Sequence, residues 1–128
     1  MLRVTDLERS IAFYVGQLGM RVLRRRDHPQ GRFTLAFLGY AHEDEATALE
    51  LTHNWGTHTY QKGTAFGHIA IAVPDLKNAC QALDHAGVPI VRPPGPLRED
   101  PSEWIAFVED PDGHRIELIQ RKTTRPAA

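Results

Sequence analysis

A single cysteine, Cys80, stands among 128 residues, so no internal disulfide can staple this chain. Its place on the apolar side of a helical stripe makes it a small buried hydrophobe rather than a reactive thiol. Long apolar runs are missing too. None approaches the roughly 18 residues of a membrane span, and no basic region followed by an apolar core opens the sequence, so a soluble, cytoplasmic protein is expected. Charge of one sign is equally scarce: 15 Lys+Arg face 16 Asp+Glu, with no basic stripe. Nucleic acid and anionic membrane are therefore poor partners, and a small neutral or locally paired ligand fits better. The length suits one compact domain that buries a core without a structural metal.

What the chain does have is a repeat. Val73-Pro74-Asp75-Leu76 sets over Val4-Thr5-Asp6-Leu7, after which Leu35-Ala36-Phe37 falls over Ile105-Ala106-Phe107 and Glu50-Leu51 over Glu117-Leu118. Each copy reads as β-α-β-β-β, which makes the fold class α+β. Module one spans residues 1–52, a connector with Gly56 and Gly63 spans 53–66, module two spans 67–121, and a polar, patternless tail, expected to fray, spans 122–128.

In module one, Asp6 is the expected N-cap of a helix whose apolar stripe is Leu7, Ile11, Tyr14, Val15 and Leu18 and which Gly19 ends. Strands follow at 20–24, 33–38 and 47–52. In module two, Asp75 caps a helix with Leu76, Ala79, Cys80 and Leu83 on one face, and Gly87 closes it. A strand follows at 88–91. The prolines of Pro93-Pro94-Gly95-Pro96 are expected to forbid a sheet ladder and leave a loop or rim as far as Pro101. Residues 104–109 and 114–120 form a hairpin about Asp110-Pro111-Asp112-Gly113.

Each such sheet covers one face with its helix and leaves the other free, and alternation decides which side chains look where. Glu50 lies between Leu49 and Leu51, and Glu117 between Ile116 and Leu118, so each carboxylate points away from its apolar neighbours. Alone, each reads as a solvated face residue; two at matching places in a repeat read as a pair with a purpose. His68, on the first strand of its module, can converge with the strand bearing Glu117. Imidazole and carboxylate suit a first-row divalent cation such as nickel, cobalt, zinc or iron, which acts as a Lewis acid while a neighbouring carboxylate moves a proton. Among the other histidines, His28, His42, His58 and His85 are expected to be exposed, His114 flanks the hairpin turn, and His53 is the one reserve ligand.

In order along nearly the whole chain, Met1-Leu2-Arg3-Val4, Phe13-Tyr14, Leu18-Gly19-Met20, Leu49-Glu50-Leu51-Thr52, Asn54-Trp55-Gly56, Gly67-His68-Ile69-Ala70 and Phe107-Val108-Glu109-Asp110-Pro111-Asp112-Gly113 with Ile116-Glu117 resemble glyoxalase I of the vicinal oxygen chelate superfamily. The resemblance implies tandem βαβββ modules paired in a homodimer, with active sites at the subunit interface. It further implies isomerisation of the methylglyoxal–glutathione hemithioacetal to S-lactoylglutathione. It puts Glu50, His68 and Glu117 in the metal shell, with Glu117 foremost as the base and Glu50 beside it. Arg3 and Asn54 match positions that hold glutathione, and Arg92 matches more loosely. The short connector resembles the compact bacterial members, which favour nickel or cobalt over zinc.

The family also carries a histidine two residues before the methionine that matches Met1, a place the repeat marks as well. Either the start is placed several residues late, which is the expectation and leaves this chain with a weakened metal site, or three protein ligands and water hold the metal, or the metal binds poorly. Two other readings compete: a metal-free, drug-sequestering binding protein on the same scaffold, and an epimerase or dioxygenase of the superfamily. The two carboxylates with His68 weigh against the first, and Arg3 with Asn54-Trp55-Gly56 against the second.

Overall fold

Asp6 and Asp75 open the two helices in the same way. Each has extended backbone, and its Oδ1 accepts the N–H three residues on, Arg9 or Asn78, at 3.1 Å. This equivalence runs through the whole computed structural model, which describes residues 1–122. The chain divides into two units, Met1–Gly63 and the part from Thr64 onward, each built on one four-stranded sheet. Residues 123–128 of the expected tail lie outside the described residues.

The first unit orders its strands β1-β4-β3-β2, with β1 Leu2–Arg3, β2 Arg21–His28, β3 Phe33–Gly39 and β4 Leu49–Asn54. β1 runs parallel to β4 and the other neighbours are antiparallel. In this unit the bounds of β2 and β4 move most from those read in the sequence, β4 from 47–52 to Leu49–Asn54. β2 continues through three arginines to His28, because each residue from Arg24 onward finds a ladder partner on β3; β4 likewise runs on to Asn54, opposite Phe33.

The first helix also departs from its pattern. α1 is regular only over Leu7–Ile11, and Ala12–Gln17 is a π-helix in which the Leu18 N–H reaches the Phe13 carbonyl, five residues back, at 3.1 Å. The wider turn changes which side chains face inward. Phe13 and Tyr14 both enter the core, their rings edge to face at 4.8 Å, and Ser10 is buried with them, whereas Ile11, Val15 and Leu18 stay half-exposed. Ala36, Leu38 and Leu51 complete the core from the sheet.

The second unit repeats the order as β5-β8-β7-β6, with β5 His68–Val73, β6 Ile90–Pro96, β7 Trp104–Glu109 and β8 Arg115–Gln120. Its helix, α2 Leu76–His85, buries Leu76, Cys80 and Leu83 as the stripe predicts, while Ile105, Ala106, Val108, Ile116 and Leu118 are buried in the sheet. Gly87, at φ 79°, takes the left-handed conformation that ends the helix.

Pro93 to Pro96 do not form a loop. They belong to β6, which pairs with β7 through Gly95↔Ile105 and Pro96↔Trp104. Two conditions admit the prolines: β6 is the edge strand, so half its backbone donors are not required, and register shifts on either side of Arg92 break the ladder where N–H groups are lacking. The β7–β8 turn is as read. Asp110 Oδ1 accepts from the N–H groups of Asp112 (2.9 Å) and His114 (2.8 Å), and Oδ2 meets His114 Nδ1 at 2.9 Å, which explains a buried histidine at a turn. No helix among the described residues is long and apolar enough to cross a membrane.

Candidate active site

Alternation along β8 sends Ile116 and Leu118 into the core beneath α2 and Glu117 to the opposite, open face. Glu117 lies opposite Ala70 of β5 on one side and Phe107 of β7 on the other. Two residues before Ala70 on the same face stands His68. Its Nε2 is 3.2 Å from Glu117 Oε2, and its ring meets that of Phe107 edge-on at 4.9 Å. The imidazole side chain is 40% exposed and the carboxylate 16%, so the pair is open on one side and sheltered on the other. Two ligands each about 2.1 Å from one cation at a right angle stand about 3.0 Å apart, so this spacing suits joint coordination. The donor set, one imidazole and one carboxylate, fits a divalent first-row metal. Among the described residues no group of three His, Cys, Asp or Glu side chains is assembled for a metal.

In the first unit the same logic places Glu50 on the open face. Its neighbour Leu51 is fully buried, and its ladder partner is Phe37, the counterpart of Phe107. Asn54 shares this face four residues on, and its Nδ2 donates to Tyr60 Oη at 3.2 Å. Arg3 joins it from β1 through its pairing with Thr52; it is exposed, and no carboxylate among the described residues pairs with it. Glu50, Asn54 and Arg3 thus share one face of one sheet, half-buried, half-buried and exposed.

His53 is not a reserve ligand. Three residues from Glu50 on the same strand, it projects from the helix-covered face, where Nδ1 meets the Val4 carbonyl at 3.2 Å and the ring lines a cavity of about 490 Å³ with Thr34 and His58. Odd spacing along a strand already separates the two. His28 is another departure: it is half-buried and stacked on Phe33, with centroids 4.6 Å apart.

Arg92 stands opposite Phe107, yet its guanidinium is committed to backbone carbonyls of its own strand and of β7. Nη1 donates to the carbonyls of Pro93 (3.1 Å), Gly95 (3.1 Å) and Ile105 (2.9 Å), and Nη2 to Pro96 (3.0 Å). It staples the bulged proline strand to β7. The two phenylalanines went without a role in the sequence reading, although Leu35-Ala36-Phe37 and Ile105-Ala106-Phe107 had matched across the repeat. Each now sits beside a candidate carboxylate: Arg24, Phe37 and Glu50 form one cross-strand row, Arg92, Phe107 and Glu117 the other.

Residues 1–118 match the sequence profile of the Glyoxalase/Bleomycin resistance protein/Dioxygenase superfamily. A lactoylglutathione lyase of Neisseria meningitidis is 54% identical over 123 residues, which span 96% of this chain and 88% of that protein. Among solved structures, glyoxalase I from Zea mays superimposes with a TM-score of 0.91 at 45% identity, over 95% of this chain and 43% of that one, so this chain spans about two fifths of the maize protein. The trypanothione-dependent glyoxalase I of Leishmania major gives a TM-score of 0.82 at 48% identity, over 94% and 82%. The chain belongs to the glyoxalase superfamily and, within it, to the family of the lactoylglutathione lyases.

Proposed function

We propose that the chain isomerises the hemithioacetal of methylglyoxal and glutathione to S-lactoylglutathione, and so detoxifies methylglyoxal. The observation that carries this reading is the His68–Glu117 pair, 3.2 Å apart on the open face of a sheet in a lactoylglutathione lyase homologue. Glu50, His68 and Glu117 are the proposed metal ligands, with Ni2+ preferred over Co2+ and Zn2+ because the connector is short. When bound, the metal supplies Lewis acidity that offsets negative charge developing on the substrate oxygens.

The chain's own residues do the rest. Glu117 removes the proton from C1 and returns it to C2, and the C1 hydroxyl proton passes to the C2 oxygen, so C1 rises to the oxidation level of a thioester while C2 falls from ketone to alcohol. The electrons stay within the substrate and no outside oxidant is needed. Glu50 is the second carboxylate of the centre. Arg3 presents a two-pronged cation to a carboxylate of glutathione and Asn54 adds an amide to its peptide backbone. Arg92, held by four carbonyls, is left out of substrate binding. The working form is a cytoplasmic homodimer with the active sites at the subunit interface.

The test is product formation from methylglyoxal and glutathione after metal stripping and add-back. A Glu117→Gln variant that still binds nickel but forms S-lactoylglutathione about a thousandfold more slowly supports the base assignment. Undiminished turnover in that variant refutes it.

A further inference from the structure

Three consecutive arginines on β2 differ in what they meet. The Arg24 guanidinium lies 3.6 Å from the Phe37 ring centroid and pairs with Glu43 at 3.1 Å; Arg25 turns to the helix side, where it pairs with Glu8 at 2.6 Å. Arg26 returns to the open face opposite Leu35 and has no carboxylate partner among the described residues. With Arg24, Arg25, His28, Leu35 and Phe37 it lines a cavity of about 370 Å³ that sets apolar Leu35 and Phe37 beside the cationic side chains of β2.

The cross-strand rows give this cavity a direction. Arg26, Leu35, Thr52 and Arg3 form one row, and Arg24, Phe37 and Glu50 the next. Starting from Glu50, the β1 side offers Arg3, proposed for the glutathione carboxylate. The β2 side offers Phe37 and Leu35 and then Arg26, two strands across and two residues along, about 12 Å away. A substrate held at Glu50 with its peptide toward Arg3 therefore sends its other substituent past Phe37, whose ring Arg24 covers, and over Leu35 toward Arg26. A methyl group falls short of that charge, whereas an arene bearing an acid spans the gap.

We propose that the Arg26 cavity is a specificity subsite for an acidic S-substituent, so that this chain favours glutathione adducts of carboxylate-bearing aromatic 2-oxoaldehydes over their neutral counterparts. The inference rests on the reading of Glu50 as part of the reacting centre. An unpaired guanidinium beside apolar side chains gains a partner from such a ligand and gains nothing from a neutral one.

The test is calorimetric binding of S-(4-carboxybenzyl)glutathione and S-benzylglutathione to the nickel-loaded full chain, compared as a ratio of affinities. The expected ratio favours the acid about tenfold, survives Arg26→Lys and falls to about one in Arg26→Gln. A ratio near one in the unsubstituted protein, or a ratio unmoved by Arg26→Gln, overturns the inference. Turnover of methylglyoxal is measured on the same sample. Turnover without charge preference defeats the subsite alone, and charge preference without turnover supports the subsite and defeats the isomerase reading alone.

Discussion

Arg24 and Arg92 occupy the same place in the two halves of this chain: each follows a break in strand register, and each faces a phenylalanine, Phe37 or Phe107, whose other neighbour is Glu50 or Glu117. The duplicated row has been put to different uses. Arg24 lies over its ring and binds Glu43, while Arg92 turns to backbone carbonyls and holds a strand that its prolines weaken. Arg92→Ala is expected to lower the unfolding free energy by about 2 kcal/mol, the scale of charge-assisted hydrogen bonds lost at a half-exposed site. Arg92→Lys should recover little, since one ammonium cannot match the fork. Urea unfolding of the three proteins checks this, and an unchanged midpoint for Arg92→Ala contradicts it.

Ser10 is fully buried and its hydroxyl has no hydrogen-bond partner among the described residues. Ser10→Ala removes an unsatisfied group and installs a better helix former, so stability should rise by about 1 kcal/mol. A fall in the melting temperature would show that the hydroxyl is satisfied in solution.

Burial pushes the Cys80 thiol above its ordinary value of 9.0. The folded state therefore holds its proton to higher pH than the unfolded chain does. The stability this confers is complete below pH 9.0 and is lost as the pH rises through the folded value. Denaturation midpoints should fall above pH 9.0 more steeply in the unsubstituted protein than in Cys80→Ala. The thiol should also resist a disulfide reagent until the chain unfolds.

His68→Ala should weaken nickel binding by at least about a hundredfold, because it removes one of the few strong donors, while leaving the fold intact on an exposed strand end. Competition with a calibrated chelator measures the loss directly. Glu117→Gln should lower turnover by about a thousandfold, within the range for a general base.

Much of this was legible before any coordinates. Asp6, Asp75, Gly87 and the Asp110 to Gly113 turn act through local chemistry that the sequence displays, and the repeat located the strands of both sheets. Period-two alternation put Glu50 and Glu117 on open faces. What stayed hidden depended on neighbours along the ladder or the helix. The π-turn buries Phe13 beside Tyr14 and leaves Val15 half-exposed, a shift that no single-period pattern encodes. The β6 prolines escaped because edge placement and bulges are properties of the sheet. The commitment of Arg92 required knowing where four carbonyls would lie. The placement of His53 opposite Glu50 was available from their spacing alone.

The most direct test of the central claim is the rate of S-lactoylglutathione formation from methylglyoxal and glutathione by the metal-stripped protein, before and after nickel is returned. The account predicts negligible turnover in the stripped protein and recovery on adding nickel, with nickel-loaded Glu117→Gln about a thousandfold slower. A folded, nickel-loaded protein without turnover, or full turnover without any metal, contradicts it.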